Sequence, residues 1–181
     1  MRPLYPLLCL FFAYQVHAVE PQHGLHVDVT IGPHGEAGEA LATIRIHAAR
    51  RVVWHLLTSC TEAVKIVPGL KSCVVQETAA DRSWQIIRQV MAYSWLLPRV
   101  SYMVKASYSR PDRIVFEKTA GDLITLRGSW DLQADGDETV ARYIVDFQPD
   151  TWVPGWFVRA TLRSDLPKML RALRANAEAA G

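Results

Sequence analysis

WVPGWFVRATLRSDLPKMLRALRANA, residues 152–177, is the one stretch long and periodic enough for a major helix. Leu162, Leu166, Met169, Leu173 and Ala177 recur at steps of four, three, four and four, which puts them on one face of a 3.6-residue helix. Arg159, Arg163, Arg171 and Arg174 fall mostly off that face. Pro154 and Gly155 break the chain just before it. Pro167 lies inside the pattern, where it removes a backbone donor and crowds the preceding turn, so a kink is expected near Asp165 and Leu166 within one bent helix. Residues 25–147 read instead as short alternating strands, interrupted by one helical stretch. A long helix after a run of antiparallel strands predicts a curved sheet wrapped around that helix. Such a fold encloses space for an apolar ligand.

The strands follow from alternation at a period of two. Residues 26–31, 41–48, 70–77, 83–93, 100–108, 114–119, 124–133 and 139–147 carry it. The cleanest is 100–108, with Val100, Tyr102, Val104, Ala106 and Tyr108 on one side and Ser101, Lys105 and Ser107 on the other. Gly32-Pro33, Pro68-Gly69, Arg110-Pro111-Asp112 and Ala120-Gly121-Asp122 punctuate them, and Asp135-Gly136 between two alternating runs is a strong hairpin signal. Between 49 and 58 the period changes: Val52, Val53, Leu56 and Leu57 with Trp54 read as a short amphipathic helix, and 60–67 as a further helical turn. The expected class is α+β, a curved antiparallel sheet of about seven strands wrapped around a long C-terminal helix, with short helices after the second strand.

The 181 residues suit one domain with room for a core, or for a core and a cavity. Half of them are hydrophobic and the formal net charge is +2, so nothing in the charge balance asks for nucleic acid. Residues 1–18 have the pattern of an export signal: Arg2, a mostly apolar run over 4–16, and Val16-His17-Ala18 as a small-residue cleavage site. The expectation is a mature chain of residues 19–181, forming a single domain in the periplasm or outside the cell. The competing reading of this segment is a buried N-terminal strand or helix. Its apolar run is too short to span a bilayer, and no later segment qualifies. Cys9 would leave with the signal. Cys60 and Cys73 remain, either bonded, as suits an oxidising compartment, or as two unrelated buried thiols.

Three stretches carry a resemblance. Ala42-Thr43-Ile44-Arg45-Ile46-His47-Ala48 runs into Arg51-Val52-Val53-Trp54-His55-Leu56-Leu57. Gly128-Ser129-Trp130-Asp131-Leu132 precedes a hairpin. Val153-Pro154-Gly155-Trp156-Phe157-Val158, with Leu166-Pro167 beyond it, opens a Leu-rich end. In order and spacing they resemble the strand-then-helix opening, the penultimate strand and the C-terminal helix of the START and polyketide-cyclase superfamily (SRPBCC, helix-grip fold), in particular its START-like lipid carriers. The resemblance covers most of the chain beyond residue 18. It implies a cavity between sheet and helix that takes lipids, sterols, quinones or polyketides. Some members are enzymes and many are only carriers, so the fold does not settle the function.

The sequence holds no phosphate-binding loop, no G-x-S-x-G and no H-E-x-x-H, so no catalytic residue and no cofactor is expected. Among the six His, His23, His26 and His34 cluster, but without Cys or a paired second motif they read as a solvated linker and not as a metal site. Tyr102, Phe116, Trp130 and Tyr143, with Phe157 from the helix, either border an apolar cavity with a few hydroxyls or fill the interior completely. Arg88 shares the alternation of Trp84, Ile86 and Val90. Inside, it would need an anionic partner or ligand head group; with Ile87, Met91 and Tyr93 inside instead, it is exposed. Two connections are unusually apolar: Trp95-Leu96-Leu97-Pro98 and Trp152-Val153-Pro154-Gly155-Trp156. They read as a lid or a membrane-touching rim, with Arg159 and Arg163 adding positive charge nearby, or as segments tucked under their neighbours.

Three functions fit these features. The leading one is a carrier of a hydrophobic small molecule (a lipid, sterol-like or quinone-like compound) with weak contact to a membrane surface and none to nucleic acid. The second is a cyclase or hydrolase acting on a polyketide-like or lipid substrate, which needs an acid or base beside the substrate. The inferred lining offers few such groups beyond Tyr and Arg88. The third is an interaction module with a filled core. The sequence leaves the oligomeric state open.

Overall fold

Residues 38–46, GEALATIRI, place Ala40, Ala42, Ile44 and Ile46 on one side and Glu39, Leu41, Thr43 and Arg45 on the other, and the first side is fully buried in the computed structural model. The structure describes residues 24–31, 38–92, 99–149 and 155–181. The expected export segment, the apolar tip with Trp95, Leu96 and Leu97, Trp152, Val153 and Pro154 of the other tip, and the histidines His23 and His34 lie outside the described residues.

In chain order the elements are β1 (Leu25–Ile31), β2 (Gly38–Ile46), α1 (Arg50–Thr58), α2 (Cys60–Ile66), β3 (Leu70–Thr78), β4 (Trp84–Met91), β5 (Val100–Ser109), β6 (Arg113–Gly121), β7 (Leu123–Asp135), β8 (Glu138–Pro149) and α3 (Gly155–Ala180). The eight strands form one sheet in the order β1-β2-β8-β7-β6-β5-β4-β3, antiparallel throughout. This is one more than the expected seven or so, and each of the eight alternating runs in the sequence is a strand. The weakly alternating first run is a full edge strand, its seven residues all paired with β2. With the long helix laid against this sheet, the architecture is α+β with a helix-grip arrangement.

The long helix runs without interruption through Pro167, so the predicted kink does not divide it. Its buried stripe is Leu166, Leu170, Leu173 and Ala177, at steps of four, three and four. Leu170, absent from the expected stripe, is fully buried, whereas Leu162 and Met169 are half-buried. The stripe joins the inward residues of β2 in one core with Val53 and Leu56 of α1. At its far end the Glu178 carboxylate accepts from the His47 backbone N–H at 3.1 Å, which fixes that end beside the β2–α1 turn. Thr139, fully buried on β8, donates its hydroxyl to the Ala48 carbonyl at 2.7 Å and secures the same turn.

Two local devices shape the rest. Cys60 and Cys73 are bonded, tying α2 to β3 with a Cα separation of 5.1 Å. Closing a loop of this size contributes about 3 kcal/mol by restricting the unfolded chain. Gly136 turns the β7–β8 hairpin at its first central position with φ +64°, a conformation that favours glycine.

Gly128 permits a close approach. A Cβ there would stand 2.1 Å from the Ile144 carbonyl oxygen and 2.6 Å from Cζ of Phe116, so the Phe116 ring lies directly over the glycine. Gly128→Ala is therefore expected to lower stability by about 1–3 kcal/mol through overpacking. Urea denaturation checks this, and an unchanged midpoint would mean that β7 and β8 part at no cost.

Candidate functional site

Residues directly opposite one another in a ladder point to the same side of the sheet, so the register assigns each side chain to a face. Starting from buried Ala42, the inward row runs to Tyr143, Trp130, Ile114 and Tyr108 across β8, β7, β6 and β5. The next row runs from Ala40 through Val145, Gly128, Phe116 and Ala106 to Gln85. Tyr102 lies two pairs further along β5, opposite Gln89. Four of the residues expected to border a cavity, Tyr102, Phe116, Trp130 and Tyr143, thus share the inner face. The side chain of Phe157 lies outside the described residues.

Three of the four are in contact. The Tyr143 ring lies 4.4 Å from Trp130 and 6.1 Å from Phe116, centroid to centroid, at interplanar angles of 32° and 22°. Offset contacts of this kind stabilise beyond the area they bury. Further along, the Tyr108 hydroxyl donates to Gln85 Oε1 at 2.9 Å, and the Gln85 amide donates to Thr78 Oγ1 at 3.2 Å. Burial pushes the Tyr108 phenol above its usual value, with Arg110 opposing, so it stays a neutral donor at ordinary pH. Trp54 of α1 meets the Tyr108 ring edge-on at 5.9 Å.

The inner face is only partly covered. Among the described residues, α3 approaches the backbones of β1, β2, α1 and α2 but not those of β3–β8. Phe116, Gly128, Tyr143, Leu126 and Phe147 face inward yet are only half-buried. Side chains on the concave side of a sheet that still meet solvent mark a recess, and this one is walled by aromatic and aliphatic groups.

The register corrects one site residue. Arg88 is exposed on the outer face, opposite Met103, and does not reach the recess. The inward phase of β4 is Gln85, Ile87, Gln89 and Met91. Of the two faces that the sequence left open for Arg88, this is the one with Ile87 and Met91 inside. The outward Trp84 is covered by the Lys105 ammonium, 4.9 Å from the ring centroid. Sequence reasoning also missed Gln85, Gln89 and Lys118. Lys118 is half-buried and inward, opposite Val104.

The strand ends Met91, Val100, Gly121, Leu123 and Pro149 lie along one margin of the sheet. The helix begins six residues after Pro149, and its last turns reach the opposite margin at His47. Trp156, 71% exposed, and the exposed Arg159 and Arg163 therefore lie toward the first margin, which also carries Ile124, 53% exposed. Among the described residues no helix is long and apolar enough to cross a membrane.

The STAR-related lipid transfer protein from Xanthomonas axonopodis superposes with a TM-score of 0.74 at 17% identity, covering 87% of this chain and 96% of that one. A START superfamily protein from Mycobacterium smegmatis gives 0.67 at 14% identity, covering 79% and 99%. The Zhui aromatase/cyclase from Streptomyces sp. R1128 gives 0.64 at 14% identity, covering 84% and 94%. At these identities the likeness concerns the fold. No curated protein matches the chain in sequence. The profile of one family, described as polyketide cyclase / dehydrase and lipid transport, matches residues 46–174, from the last residue of β2 to well inside α3. The chain belongs to the polyketide cyclase / dehydrase and lipid transport family.

Proposed function

We propose that this protein binds a hydrophobic small molecule in the recess between the inner face of β4–β8 and α3, and carries it without altering it. The observation that bears most weight is an inward aromatic array that remains partly open to solvent: Phe116 and Tyr143 face the helix side and are only half-buried. Leaving such surface wet in the free protein is unfavourable by about 25 cal/mol per Å², and an apolar ligand recovers that term. Family membership and the likeness to a lipid transfer protein support the reading. A cyclase or hydrolase is the second reading, favoured by the likeness to an aromatase/cyclase and by the phenols of Tyr102 and Tyr143 on the inner face.

Native mass spectrometry of protein from its own host is expected to show a co-purifying apolar molecule of unchanged mass after incubation. Ala106→Trp, which fills the row beside Phe116, should lower uptake of an apolar fluorescent probe at least about tenfold while folding is retained. Probe binding unaffected by this substitution would place the ligand elsewhere.

Delivery at a membrane surface is part of the proposal. Trp156 and Ile124 supply exposed apolar groups at one margin, and Arg159 and Arg163 supply charge beside them. Each basic group near an anionic surface adds about 1 kcal/mol at low salt. Arg159→Ala with Arg163→Ala should weaken co-sedimentation with phosphatidylglycerol vesicles about tenfold or more, and Trp95→Ser with Trp152→Ser should weaken it further. Equal binding to neutral and anionic vesicles would remove the docking reading.

Export completes the proposal. The charged and apolar pattern of residues 1–18 supports it, as does the Cys60–Cys73 bond, which persists in oxidising compartments. N-terminal sequencing of the protein from its host should start at Val19. An intact Met1 in the cytoplasm would refute it.

A further inference from the structure

The inward rows of β4–β8 contain a single charged side chain among the described residues, Lys118. On one side its row continues through Val104 to Ile87. Phe116 precedes it on the same face. Glu117, the adjacent acid, points to the outer face, where it lies opposite Arg127. Among the described residues Lys118 enters no ion pair, whereas the outward Arg113 and Arg127 pair with Asp131 and Asp146. Just beyond it the β5–β6 ladder is bulged between Met103 and Val104, leaving Thr119 without an opposite residue. Bulges bend a strand and redirect its side chains near sites. Lys118 thus sits one step inside the margin where Val100, Gly121 and Leu123 lie, above the aromatic array.

A lone ammonium in an apolar wall is unfavourable unless an anion meets it. We infer that Lys118 receives the anionic head of the ligand, so that the bound molecule is an acidic amphiphile: a carboxylate or phosphate at the end of an apolar tail, with the tail against Phe116, Tyr143 and Trp130. The inference rests on the proposed binding of an apolar molecule in the recess and adds the polarity of its head and the direction in which it lies. Charge-assisted hydrogen bonds to a carboxylate are about twice as strong as neutral ones, which makes the head a basis for selection as well as for affinity.

Dansylaminoundecanoic acid and its methyl ester, which share a tail and differ in charge, provide the test by fluorescence titration. The native protein should bind the acid about tenfold or more tightly than the ester. Lys118→Met should lose that preference, with circular dichroism and the urea midpoint showing that the fold is intact. Lys118→Arg should keep it. Equal affinities in the native protein, or a preference that survives Lys118→Met, overturns the inference and leaves the apolar recess standing. Acetate at matched ionic strength carries the head without the tail. Its failure to displace the acid is expected, and displacement would identify a site for free anions and overturn the amphiphile. If the native protein binds neither probe, the proposed function fails together with the inference.

Discussion

Two alanines decide how close the long helix can come to the sheet. Ala40 and Ala42 have almost no exposed surface and lie on the inner face of β2, where α3 packs. Side chains this small let Leu166, Leu170 and Leu173 settle against the strand and against Ile44 and Ile46. Across the sheet the inward residues mix small ones, Ala106, Gly128 and Ala141, with large rings. Phe116, Trp130 and Tyr143 stand on the strands that the helix backbone does not approach. Packing is thus dense at the β1–β2 side, where the helix lies, and open toward β5–β7, where it does not, and the recess follows from that offset. Volume added at Ala40 or Ala42 would tilt the helix and reshape the recess from a distance.

The outer face obeys a different logic. Arg127 meets Asp146 at 2.8 Å and Arg113 meets Asp131 at 3.1 Å, each pair spanning neighbouring strands. Exposed pairs contribute at most about 1 kcal/mol each, so they do little for stability. They do oppose a one-residue slip, which would turn every charge inward and every aromatic outward. Many charges outside, several of them paired, and one unmatched charge inside make the two faces chemically unequal.

Long elements with a clean period were legible from sequence. The helix, the two short helices and every alternating run correspond to elements of the structure, because burial on one side writes a period of 2.0 or 3.6 into the chain. Faces were harder where both phases mix polar and apolar groups. In β4 both phases carry large apolar groups, Trp84, Ile86 and Val90 on one and Ile87 and Met91 on the other. Hydropathy therefore left Arg88 open between the faces until the pairing with Met103 put it outside. In β6 Glu117 and Lys118 are adjacent and equally polar, so only the pairing with Val104 shows which one faces inward. Gly128 was visible as a small residue beside Trp130, but its purpose depends on a ring from another strand. Tertiary register, which no local pattern contains, separates these cases.

Pro167 divides the long helix into mechanically unequal halves. It has no N–H to offer Arg163, so the ladder of helical bonds is interrupted there while the helix continues. Beyond it, Leu170, Leu173 and Ala177 are locked in the core and Glu178 holds the backbone at His47. In the three turns before Leu166, Val158 alone is buried among the described side chains. Among the described side chains the first half is therefore the more lightly buried of the two. A load placed on that half is borne by a few contacts, while the core beyond Pro167 stays closed.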